Sequence, residues 1–104
     1  TLPLTLFWQA QGTVTKDYTV FVHLLDTAGA IRGQGDGPPA AGFYPTTAWD
    51  SGEVVVDEHV VAVDPDAPPG IYQLVVGLYE LSTGVRLSTM EGDRVYLSDI
   101  EVGP

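Results

Sequence analysis

Tyr18-Thr19-Val20-Phe21-Val22-His23-Leu24-Leu25, followed by Asp26-Thr27-Ala28-Gly29 and Ile31-Arg32-Gly33-Gln34, decides the fold class. Tyr18, Val20, Val22 and Leu24 alternate with Thr19, Phe21, His23 and Leu25, and both sets are largely apolar, which reads as a central strand covered on both sides. Asp26 to Gly29 is turn chemistry with a glycine free to take a positive φ, and Ile31 to Gln34 can return beside the first strand. Upstream, Leu4, Leu6, Trp8 and Ala10 alternate with Thr5, Phe7, Gln9 and Gln11. That is a strand over residues 3–11 with one buried face, and its phase puts Trp8 in the core. Downstream, Val54 to Val63 is β-branched enough for a further strand, and Asp64-Pro65-Asp66-Ala67-Pro68-Pro69-Gly70 cannot continue it. Ile71 to Glu80 and Val85 to Thr89 form a second hairpin about Ser82-Thr83-Gly84, and Arg94 to Val102 is the last strand. About seven short strands with turn signals between them, and no helical periodicity, predict an all-β domain. The expected architecture is an antiparallel two-sheet sandwich, immunoglobulin-like, with a jelly roll as the alternative.

The 104 residues fit one domain, 1–104, and leave no room for a second core. Fourteen acids against four bases give a net charge of -10, a field that repels nucleic-acid phosphates and anionic membrane surfaces. There is no cysteine, so disulfides, a thiol nucleophile and a thiolate zinc site are excluded. The longest apolar runs, such as Val54-Val55-Val56, fall far short of the roughly 18 residues that cross a bilayer, so no membrane insertion of this stretch is expected. Because it enters its first strand almost at once after Thr1, the chain is expected to be part of a larger protein.

Chemistry-bearing residues are few. His23 lies in an apolar strand and reads as a packed, hydrogen-bonded histidine. Asp57 and His59, two apart, share a strand face and could hold a metal or orient an imidazole on a carboxylate, but the favoured reading is an exposed strand edge whose charges deter pairing. Asp64-Pro65-Asp66 resembles part of a calcium loop yet lacks the later ligand positions, so it reads as a turn. No metal site and no cofactor are expected. Ser51, Ser82, Ser88 and Ser98 lack a nucleophile motif. A glycosidase needs two carboxyls at about 5–5.5 or about 6.5–9.5 Å with one pKa raised, which fourteen acids could meet by coincidence. The expectation is therefore a non-catalytic domain. Tyr72, after Pro69-Gly70, is placed to bond its hydroxyl back to the preceding loop as a tyrosine corner. Tyr18 to Arg32 and Tyr72 to Arg86 also match one another in an aromatic-led strand, acid, turn, glycine, arginine order.

Asp36 to Glu53 is a long connection carrying Phe43, Tyr44 and Trp49. Two readings stay open. In one, Phe43, Tyr44 and Trp49, with Asp50 or Asp36 beside them, form a platform that stacks on a sugar. In the other, the loop folds back and closes one end of the domain with its own aromatics, and this is the reading preferred.

Leu6-Phe7-Trp8-Gln9-Ala10, Asp17 through Asp26, Gly37-Pro38-Pro39, Tyr44-Pro45-Thr46, Trp49, Gly52-Glu53, Pro68-Pro69-Gly70-Ile71-Tyr72, Gly77-Leu78-Tyr79 and Thr83-Gly84-Val85-Arg86-Leu87 run in a telling order. In this the chain resembles the C-terminal β-sandwich domain of large bacterial polytopic membrane proteins similar to the dolichyl-phosphate-mannose protein mannosyltransferases. The resemblance implies an extracytoplasmic appendage without the transfer chemistry, whose partner is the membrane portion of its own parent protein. It also implies one more strand ahead of Leu6-Phe7-Trp8. A free-standing carbohydrate-binding module is the alternative function, and a small hydrolase a remote one.

Overall fold

Each alternating stretch becomes a strand: β1 (Leu2–Gln9), β2 (Tyr18–Leu25), β3 (Ile31–Gln34), β4 (Val54–Val63), β5 (Gly70–Glu80) and β6 (Val95–Val102). This computed structural model describes residues 1–88 and 92–103. All neighbours pair antiparallel, in the order β1-β4-β3-β2-β5-β6. The described residues contain no α-helix, only short 3-10 turns at Pro39–Gly42 and Thr46–Ala48.

The sheet is single and continuous where two sheets were expected. The reason is β4, which pairs with β1 from Gln9↔Val54 to Leu2↔Val61 and then reaches β3 through Gln34↔Ala62 and Gly33↔Val63. Curled into a half-barrel, the sheet lays β1 over β2 and β5. Leu6, Val20, Val22, Leu24, Val61, Tyr72, Leu74, Val76 and Leu78 fill the inside, with Leu4 and Trp8 packed against them. Burying an aliphatic side chain of this kind contributes about 1.5–3 kcal/mol.

Among the described residues six strands stand where about seven were expected. The stretch from Val85 makes a single bridge, Tyr79↔Arg86, with Leu87 N–H donating to Leu78 at 2.8 Å. Val85 and Leu87 share a face and stay exposed, so no burial sustains a longer ladder; Thr89 lies outside the described residues.

β2 is central and covered on both sides, as its sequence demands. On its outward face Phe21 lies over Gly77, where a Cβ would come within 2.3 Å of the ring. The Arg86 guanidinium lies over that ring, 4.3 Å from its centre. At the start of β5, Tyr72 is buried and donates its hydroxyl to the Pro68 carbonyl, making the corner its position suggests. The two similar segments are antiparallel neighbours, with Phe21 opposite Gly77. Their arginines have diverged: Arg32 pairs with Asp26 at 3.0 Å, whereas Arg86 sits over Phe21 and lies 3.5 Å from Asp93.

Candidate functional site

The period of two along β4 turns Val55, Asp57, His59 and Val61 inward and Val54, Val56, Glu58 and Val60 outward. Asp57 and His59 are therefore not on an exposed edge. β4 lies between β1 and β3, and Asp57 is fully buried. Its Oδ2 accepts from Trp8 Nε1 at 3.0 Å and lies 2.7 Å from His59 Nε2, while Oδ1 accepts the Ala40 N–H at 2.9 Å. His59 Nδ1 is 2.8 Å from the Gly35 carbonyl. A carbonyl only accepts, so Nδ1 is the donor to Gly35, and Nε2 faces the Asp57 carboxyl. Satisfied at every polar atom, this cluster ties β1, β4 and the loop after β3 together.

Asp57 also holds strained backbone. Ala40 and Ala41 take φ of 51° and 54°, a left-handed pair without glycine, which costs roughly 1–2 kcal/mol per residue. The carboxylate that receives the Ala40 N–H fixes that bend.

The long loop is pinned by its own polar groups. Thr46 Oγ1 accepts the Tyr18 N–H at 3.0 Å and donates to the Lys16 carbonyl at 2.6 Å. Trp49 is buried and donates Nε1 to the Tyr44 carbonyl at 3.0 Å. Tyr44, half-buried, donates to Glu53 Oε1 at 2.6 Å. That bond, with burial and the Glu53 and Asp50 charges, pushes the phenol up to about 12; the same bond and the Asp50 N–H hold the Glu53 carboxyl below its usual range, against burial. Phe43 is 90% exposed, and Asp50 is exposed with its N–H given to Glu53. Of the three aromatics, only Phe43 presents its ring freely. Asp36 accepts the Val22 N–H at 2.9 Å and Gln34 Nε2 at 3.0 Å, so it serves the backbone of β2 and the end of β3.

His23, buried beside Phe21 with ring centres 5.0 Å apart, lies 3.5 Å from Asp36. Burial lowers its pKa; Asp36 opposes that and Arg86 adds to it. Among the described carboxyls with a displaced pKa, Asp26, Glu53 and Glu80 are all lowered, chiefly by hydrogen bonds from Ala30 N–H, Tyr44 and Lys16 respectively. None of these three has the raised value a general acid uses. Asp64 closes a turn through its carbonyl to Ala67 N–H at 3.0 Å. Among the described residues no three carboxylates or imidazoles converge as a metal site would require.

Two further surfaces are apolar. On the outward face of the β1–β4 ladder, Phe7 is directly opposite Val56, and Val54 and Val60 extend the stripe, all more than half exposed. The strained Ala40–Ala41 turn borders Val56 and Glu58. Around the lip of the half-barrel, a groove of about 310 Å³ runs between Leu4 to Trp8 of β1 and Val95 and Leu97 of β6, over Val76. The i, i+2 spacing of Asp57 and His59 signalled a shared face, but nothing local disclosed Trp8 as their partner. The Phe7–Val56 stripe was hidden because valine suits either face of a strand. No protein-family model, curated protein or solved structure matches the chain.

Proposed function

We propose that this chain is a non-catalytic, extracytoplasmic interaction domain of a larger membrane-bound, glycosyltransferase-like protein, and that it docks onto its own parent through the outward face of β1 and β4. One observation carries the reading: the exposed apolar patch of Phe7, Val54 and Val56, resumed at Val60 beyond Glu58. Apolar patches of that kind mark contact surfaces. The strained Ala40–Ala41 turn beside Val56 supports it, since backbone strain that neighbouring structure maintains gathers at binding sites. Support for a non-catalytic role comes from the Asp57–His59 pair, whose polar atoms are all spent within the fold. In architecture we read the curled sheet as an immunoglobulin-like sandwich in which β4 spans both layers.

The test places a photo-crosslinking amino acid at Val56 in the complete parent protein. Crosslinks to the parent's membrane portion are expected, and Val60→Lys should reduce them. Crosslinks absent at Val56, or a parent without membrane spans, overturn the reading. A carbohydrate-binding role keeps one supporting feature, the free Phe43 ring. Such a site would bind weakly, near 1 mM or about -4 kcal/mol, so titration has to run well beyond that concentration. Affinity lost in Phe43→Ala with the fold intact would promote it.

A further inference from the structure

The two ends of the sheet face one another without pairing. Among the described residues β1 pairs only with β4 and β6 only with β5, so each has one edge of N–H and C=O groups with no ladder partner there. Between these edges lies the open groove floored by Val76. Leu4, Thr5, Leu6, Phe7 and Trp8 all line it, although alternate residues of a strand point to opposite faces. A wall made of consecutive residues is the rim of the strand itself. It begins just after Pro3, which has no N–H to offer.

From this we infer that the groove accepts an extended peptide from a separate polypeptide, which adds as a strand between β1 and β6. The geometry is that of β-strand addition, in which main-chain hydrogen bonds supply affinity and alternate side chains fill apolar pockets. Five successive antiparallel pairings make β1 and β6 run in opposite directions. One inserted strand is therefore antiparallel to one edge and parallel to the other. Its inward side chains are aliphatic, to meet Leu4, Leu6, Val76, Val95 and Leu97. Its flanks are basic. The groove lining itself carries no charge, so the preference comes from the field of a chain of net charge -10. The same charge disfavours a second copy of this chain as the occupant. The groove adjoins the docking stripe at Phe7, which borders both, but its other lining residues are not part of that stripe.

The experiment titrates the chain with a short synthetic peptide alternating valine and threonine between paired lysines. Saturable binding is expected, weakened about tenfold or more by Leu97→Asp and likewise by Thr5→Asp. Both positions are exposed, and circular dichroism verifies that the fold persists. N-methylating alternate peptide amides should abolish binding, and exchanging the lysines for glutamates should weaken it. Absence of saturation up to millimolar peptide, or binding indifferent to N-methylation or to both groove substitutions, overturns the inference. So does self-association in sedimentation that Leu97→Asp prevents, which would make the occupant a second copy.

Discussion

Asp57 receives three hydrogen bonds in a site with no water access, and its removal leaves the Trp8 indole, the Ala40 amide and the His59 imidazole without their acceptor. Asp57→Ala should cost about 3–5 kcal/mol in urea denaturation, the range for breaking a buried pair. Tyr72→Phe, which deletes only the bond to Pro68, should cost about 0.5–1.5 kcal/mol by the same measurement. For His23 the sign follows from burial. Its folded pKa lies below the ordinary 6.5, so the unfolded chain binds the proton more readily. The stability this group contributes is complete above pH 6.5 and is lost as pH falls through the folded value. His23→Gln should therefore flatten the fall of the urea midpoint just below that pH. Tyr72 could be read in advance because its bond is local, four residues back. Asp57 was placed on the wrong side because its partners Trp8 and Ala40 lie 49 and 17 residues away.

At the scale of elements, β2 and β5 interlock through a missing side chain. Phe21 occupies the space above Gly77, so Gly77→Ala should destabilise by about 1–3 kcal/mol through overpacking. A smaller residue at position 21 should recover part of that loss in a double-mutant cycle, because the two sites share one volume. Strand positions were legible from alternation: β3 and β4 have the bounds the sequence suggested, and β2 the central place its two apolar faces required. The weak element was the return after Gly84, whose apolar residues find nothing to cover them. How strands join into sheets was not legible. That depends on two residue pairs at the far end of β4, and neither Ala62 nor Val63 differs in kind from its neighbours.

Over the whole molecule, excess negative charge works against compactness. With fourteen acids and four bases, added sodium chloride at pH 7 should raise the thermal midpoint by screening self-repulsion, most steeply at low ionic strength. A midpoint that is flat or falls with salt would mean that local ion pairs outweigh the net field. The strand order also has a mechanical consequence. Because β1 and β6 run in opposite directions, Leu2 and Val102 lie at the same end of the sheet. Among the described residues no ladder joins the two strands, so a load drawn between them peels β1 from β4 and β6 from β5 one rung at a time instead of shearing many rungs together. The domain should yield to low force in an optical trap, from its rims toward β2, and a strand seated in the gap would convert that zipper into a clamp.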